Sequence, residues 1–312
     1  MSASPSRTQS PSATDYGHDL LFGTFTTPVA HPPMQAVEMA MAADRAGLDM
    51  VTFQDHPYQP AFYDTWTLLS YIAARTERVR LGTNVLNLPL RQPAVIARSA
   101  AGLDILTGGR VELGLGAGAF WDAIVAMGGR RLKPGDSITA LEEAIAIISE
   151  IWDTEKSGGV RVDGQFYQVK GAKRGPAPAH KIGIHIGAYK PRMLNLTGRL
   201  GDGWLPSLSY LSEGMPALTE MNRLIDEGAV SVGRAPAAVR RFLNISGRFM
   251  NAGESFLNGP PRQWAEDLAG LTLNYGISGF ILAADDRTTI EIFAGEVAPA
   301  TRELVARERA RS

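Results

Sequence analysis

The chain has 312 residues, 45% hydrophobic and 20% charged, with a formal net charge of −1. That balance is globular, excludes a disordered chain or a fibre, and argues against the broad basic surface that nucleic acid requires. No cysteine is present, which excludes disulfides, zinc–thiolate sites and thiol nucleophiles and fits a reducing, cytoplasmic setting.

Residues 1–18, rich in Ser, Pro and Thr without an apolar core, are expected to form a disordered tail ahead of one domain spanning 19–312. From Leu20 onward, short apolar runs alternate with segments of helical period. The expected strands are Leu21–Phe25, Met50–Gln54, Val79–Leu86, Val111–Gly116, Ile182–Gly187, Gly203–Pro206, Phe242–Met250 and Gly279–Ala283. Ile96, Ala100 and Leu103 form one helical stripe, and Leu141, Ala144, Ile145, Ile148 and Trp152 another. Pro260 and Pro261 suit a helix start; Asp285 or Asp286 suits the cap of a last helix that turns Ile290, Phe293 and Val297 inward. Apolar runs stop well short of the roughly 18 residues a membrane helix needs, so no membrane span is expected.

Eight strand–helix units fit a single-domain (β/α)8 TIM barrel better than a doubly wound sheet. Residues 153–181 break the rhythm between the fourth helix and fifth strand. There Asp163-Gly164, between Val160–Val162 and Phe166–Val169, reads as a hairpin insertion. As an αβ connection it belongs on the N-terminal side of the barrel, with a packing or oligomer role.

In such a barrel the βα loops at the strand C-termini carry the chemistry. The fourth gives Gly114-Leu115-Gly116-Ala117-Gly118-Ala119-Phe120-Trp121-Asp122. Its glycines alternate onto one face, which either clears room for something broad and flat or merely allows close packing. The second gives Asp55-His56-Pro57-Tyr58, with His56 placed for proton transfer or for a hydrogen bond to a cofactor. His185 reads as a core residue, and no HxH or HExxH pairing supports a metal site. The fifth and sixth, Gly187-Ala188-Tyr189-Lys190-Pro191-Arg192 and Ser207-Leu208-Ser209-Tyr210, read as a phosphate cradle, although a solvated helix start with surface cations has the same signature.

The ordered set Gln54-Asp55-His56, Leu81-Gly82-Thr83-Asn84-Val85, Arg91-Gln92-Pro93, Gly108-Gly109-Arg110, Gly116-Ala117-Gly118 and Leu196–Trp204 resembles the bacterial luciferase-like flavin and deazaflavin oxidoreductases. The resemblance covers residues 20–300 and implies a barrel that binds coenzyme F420, or alternatively FMN, at its C-terminal mouth. It implies Asp55 and His56 beside the ring, and Thr83, Asn84 and Val85 under it, with a non-prolyl cis peptide at Asn84–Val85. Gly116, Ala117 and Gly118 would border the pocket; Gly187, Ala188, Tyr189, Lys190, Ser207 and Leu208 would hold the phosphate. A homodimer is also implied.

The chain departs from the pattern at Ala119, where some similar deazaflavin-dependent dehydrogenases have a glutamate proton donor. Asp122 is the candidate substitute, and the departure counts against a sugar-phosphate dehydrogenase. Phe25, Tyr58, Phe120, Trp121 and Tyr210 are expected to stack substrate against the ring, since hydride transfer needs carbons about 3–3.5 Å apart. F420-dependent hydride transfer to a small organic substrate is therefore the first reading. The others are an FMN-dependent monooxygenase fed by a separate flavin reductase, and a non-catalytic flavin-binding barrel.

Overall fold

A computed structural model describes residues 15–311. Short strands that are apolar on both faces cannot leave a sheet edge in water, and here eight of them close on one another. They begin with β1 (Leu21–Phe25), β2 (Met50–Phe53) and β3 (Arg80–Thr83), the last continued past a break by β4 (Leu86–Asn87); β5 (Val111–Gly116) follows. The pair β6 (Val160–Asp163) and β7 (Gln168–Ala172) stands outside the barrel. The ring resumes with β8 (Ile184–Ile186), β9 (Gly203–Trp204) and β10 (Arg240–Ile245). A small parallel pair, β11 (Arg248–Phe249) and β12 (Asn258–Gly259), precedes the last barrel strand β13 (Gly279–Ala283). All neighbours in the ring β1-β2-β3-β5-β8-β9-β10-β13 are parallel, and β13 pairs with β1 to close it.

The principal helices outside the ring are α1 (Gln35–Ala46), α2 (Thr65–Ala73), α3 (Pro93–Thr107), α4 (Trp121–Ala126), α5 (Pro134–Trp152), α6 (Pro191–Leu200), α7 (Pro216–Ser231), α8 (Pro261–Tyr275), α9 (Arg287–Ile292) and α10 (Ala298–Arg309). None of these described helices is long and apolar enough to cross a membrane. Proline at the first turn of α3, α5, α6, α7 and α8 loses no hydrogen bond there and sets φ for the helix. Alternation along the strands divides the apolar side chains in two. Phe22, Leu113, Leu115, Trp204 and Phe280 join the large core under the helices. Met50, Leu205, Phe242 and Ile281 fill the barrel itself, with Phe25 and Val85 against them. Each such burial is worth about 1.5–3 kcal/mol.

The stripes on α3 and α5 are buried as expected; Trp152 is only partly so, and its indole N–H donates to the Ala97 carbonyl at 2.8 Å. The last helical region turns Ile290, Phe293 and Val297 inward, and Asp286 supplies the cap by accepting from the Thr289 amide. Asp285 instead holds Thr27.

Four expectations shift. The third strand does not run unbroken through Val79–Leu86; the cis peptide at Asn84–Val85 separates β3 from β4. The seventh ends at Ile245 rather than Met250, since Arg248 and Phe249 pair with β12. Of the expected tail, residues 1–14 lie outside the described residues, while Asp15 binds Arg309 and the Tyr16 ring lies 4.6 Å from the Arg241 guanidinium. The hairpin is present, but its tip does not stay on the N-terminal side. Glu143 of α5 captures the amides of Gln165, Phe166 and Tyr167, and the Tyr167 hydroxyl reaches the Leu88 carbonyl at 3.4 Å, just past β4.

Candidate functional site

Asp55 follows β2 and is buried. Its carboxylate accepts the Asn87 amide at 2.9 Å and grips Arg91 through Nε and a terminal nitrogen, both at 2.7 Å. Arg91 also binds Asp64, the residue that caps α2. A bidentate pair of this kind fixes geometry, so Asp55 ties the β2 and β4 ends together with no oxygen left unengaged. His56, next to it, is half-buried. Its ring stacks on Tyr58 (5.3 Å, 19°) and meets Phe120 edge-on (5.3 Å, 74°). Neither ring nitrogen has a hydrogen-bond partner among the described residues. Burial lowers the His56 pKa, against a smaller upward pull from the Asp55 charge. Tyr58 moves the other way: burial and then Asp55 raise its hydroxyl, against a smaller lowering by Asn87.

The bulge between β3 and β4 turns Val85 into the mouth. The glycine face of β5 is what admits it. A Cβ on Gly114 would lie 2.0 Å from the Thr83 carbonyl oxygen, and one on Gly116 would lie 2.6 Å from Val85 Cγ2. Gly187 of the β8 loop stands against the same valine, with its Cγ atoms 3.5 Å from where a Cβ would be. Of the two readings of this glycine stripe, close packing is therefore the direct one. The glycines make room for Val85, and Val85 in turn supplies a flat apolar platform. Gly118, at φ +100°, turns the chain away, with Pro89 and Trp121 crowding its open side. Thr83 is buried and spends its hydroxyl on the Gly114 carbonyl at 2.7 Å.

Asn84 faces the barrel interior. Its amide nitrogen donates to Thr52 Oγ1 (3.1 Å) and to Asn244 Oδ1 (2.7 Å); Asn244 Nδ2 returns a bond to Asn84 Oδ1 (3.2 Å) and donates to Ser207 Oγ (3.2 Å). Asn244 is missing from the sequence reading; its only signal is one amide residue inside the apolar strand Phe242–Ile245. The Ser207 amide donates to the Tyr189 hydroxyl at 2.8 Å. The Ser207 and Tyr189 hydroxyls share one hydrogen bond, which leaves one of their two protons without an acceptor among the described residues; the amides of Ala188, Tyr189 and Lys190 likewise have none there. Lys190 is exposed at the start of α6 and, among the described residues, without an ion-pair partner, and Leu208 opens the short turn after Ser207.

These positions form a platform of Val85 with Gly116 and Gly187, an aromatic wall of His56, Tyr58 and Phe120, and a donor bank at Ala188–Lys190 with Ser207. A flat ring carrying a phosphate-bearing chain fits that combination. Phe25 lines the barrel interior beside Val85, Ala117 packs against the core, and Tyr210 lies edge-on to Tyr189 at 5.9 Å. Asp122 stays apart. Its side chain is 98% exposed and paired with Arg131, because α4 turns it to solvent while Trp121 folds back on Gly118.

The family described as luciferase-like monooxygenase matches residues 14–246. The F420-dependent glucose-6-phosphate dehydrogenase of Microbacterium testaceum (strain StLB037) is 34% identical over 241 residues, 72% of this chain and 67% of that protein. Among solved structures, the coenzyme F420-dependent tetrahydromethanopterin reductase from Methanopyrus kandleri superposes with a TM-score of 0.77 at 18% identity, over 90% of this chain and 99% of that one. A monooxygenase from Streptomyces bottropensis gives 0.76 at 18% identity, with the same coverage.

Proposed function

The chain belongs to the luciferase-like monooxygenase family, and on that premise we propose that it is a coenzyme F420-dependent oxidoreductase that moves a hydride to or from a small organic substrate. The observation that carries the reading is the joint placement of an uncommitted imidazole, an apolar platform and a donor bank around one barrel mouth. Kinship over most of the chain with an F420-dependent dehydrogenase supports F420 over FMN.

Val85, backed by Gly116 and Gly187, would carry the ring; the amides at 188–190, Ser207, Tyr189 and Lys190 would take the phosphate-bearing chain. When bound, the deazaflavin supplies or accepts the hydride. The protein's part is positioning and proton handling. His56 is neutral at neutral pH because burial disfavours its charged form. A free ring nitrogen then accepts the proton of a substrate hydroxyl or, once charged, returns it to a carbonyl oxygen. The raised Tyr58 hydroxyl stays protonated, and Ala119 offers no acid, so this work falls to His56. Asp55 and Arg91 hold the loop that presents it.

Titration of the purified protein with oxidised F420 and with FMN, followed by absorbance and fluorescence, tests the assignment. Saturable F420 binding with weaker FMN binding is expected. Tight FMN binding without F420 binding would instead favour the monooxygenase reading. The proposal includes a cytoplasmic homodimer. The exposed Tyr71, Val95, Ile105 and Leu106 on the neighbouring helices α2 and α3 support the dimer, and sedimentation measures it.

A further inference from the structure

Amides buried inside a β-barrel cost free energy unless every polar atom is paired, and an apolar pair of similar size would pack there without that demand. Asn84 and Asn244 nonetheless face each other across this barrel, from β10 and from the break after β3, 160 residues apart in sequence. Each amide nitrogen uses both protons: Asn84 on Thr52 Oγ1 and Asn244 Oδ1, Asn244 on Asn84 Oδ1 and Ser207 Oγ. At the inner end, Thr52 donates to the Thr24 carbonyl at 2.9 Å, so the chain is anchored on backbone. At the outer end Ser207 Oγ already accepts from Asn244 and shares a hydrogen bond with the Tyr189 hydroxyl, so that of the two hydroxyl protons one is left without an acceptor among the described residues. The Ser207 amide is likewise occupied, by Tyr189 Oη at 2.8 Å. The row thus runs from a fixed carbonyl to the Ser207–Tyr189 hydroxyl pair, whose remaining capacity is to donate one proton. Hydrogen bonds arranged in this way polarise one another and hold their terminal group in one orientation.

We propose that Asn244 is a positioning residue for the cofactor. It orients the Ser207 hydroxyl as a donor to the phosphate-bearing chain, and through Asn84 it holds the bulge that presents Val85 to the ring. One amide pair thereby sets both ends of a single ligand. This inference rests on the reading above that the mouth binds a deazaflavin or flavin.

Dissociation constants for F420 and for FMN, measured by fluorescence on the wild type and on Asn244→Ala, Ser207→Ala and the double variant, test it. Asn244→Ala is expected to weaken binding about tenfold or more, and Ser207→Ala about fivefold to tenfold, as for loss of a hydrogen bond to an anionic group. The double variant should bind within about twofold of Asn244→Ala, because the two residues act in series. The absorption maximum of bound cofactor should move toward that of free cofactor in Asn244→Ala and stay in place in Ser207→Ala, since only the first also releases Asn84. Thermal unfolding checks that each variant folds. Asn244→Asp keeps the shape and loses both donors; it should show the same loss of affinity and serves if the alanine variant does not fold.

Wild-type affinity in Asn244→Ala or Asn244→Asp, or fully additive losses in the double variant, would overturn the proposal and leave the functional reading standing. Failure of the wild type to bind either cofactor would overturn both.

Discussion

The two ends of this barrel use polar residues in opposite ways. At the N-terminal end Glu112 points inward, accepts the Gly183 amide at 3.0 Å, pairs with Arg80 and has His185 Nε2 at 3.6 Å. Beside it Asp104, fully buried, accepts the amides of Val111 and His180 and a ring nitrogen of His180. The carboxylates there are closed off by a guanidinium, backbone amides and imidazoles. At the C-terminal mouth the Asp55–Arg91–Asp64 cluster is satisfied within itself, and the groups turned to the opening are amides, hydroxyls, an imidazole and the cation Lys190, with capacity to spare. Satisfied polar groups mark the end that holds the fold; unspent donors mark the end that receives a ligand.

Substitutions at the two ends should therefore separate stability from binding. The largest effect belongs to the pair that does both jobs. Asp55→Ala leaves Arg91 only its pair with Asp64 and frees the Asn87 amide, and should cost about 2–3 kcal/mol in urea unfolding, with cofactor affinity lost as the loops loosen. His56→Ala should lower turnover about a hundredfold or more while leaving the cofactor dissociation constant within about twofold. An equal fall in both would make His56 part of the binding surface. Gly116→Ala forces its methyl onto Val85 and should cost about 1–3 kcal/mol and weaken cofactor binding together. Glu112→Gln should cost about 1–2 kcal/mol of stability, reduced by solvent around the half-exposed Arg80, with cofactor affinity and turnover unmoved. A change in affinity there would erase the distinction between the ends.

The smallest effect is in pH. Burial, opposed by Glu112 and Asp202, lowers the pKa of His185, and burial lowers that of His56. The unfolded chain then binds protons that the folded one refuses, so this contribution is whole above the ordinary histidine pKa of about 6.5 and declines as pH falls below it. Turnover that needs neutral His56 should fall in the same direction, with its midpoint on the acid side of that value. A rate that rises on acidification would assign His56 the opposite role.

The strands and the helical stripes were legible because period and turn residues are local properties. The resemblance, not the periodicity, located the break at Asn84–Val85. Other features depend on meetings that no local pattern records. Asp55 was visible, but its commitment to Arg91, 36 residues on, follows from how two loops pack. Asn244 carries no motif and becomes visible only opposite Asn84. Asp122 had the right chemistry one turn too late, where α4 carries it into solvent. The hairpin was read correctly as a hairpin, yet its reach to Leu88 depends on Glu143 catching the loop amides.

Val85, Gly116 and Gly187 occupy one shared volume contributed by three strands. Gly116 cannot grow unless Val85 shrinks, whereas a Cβ on Gly187 would only touch Val85, so it is Val85 and Gly116 that should change together. Gly116→Ala alone carries the cost of its clash with Val85, whereas Val85→Ala with Gly116→Ala removes the clashing Cγ atoms and moves part of the bulk from one strand to the other. The shape offered to a bound ring is thus inherited through a coupled pair, with Gly187 the one place where bulk can be added in a single step.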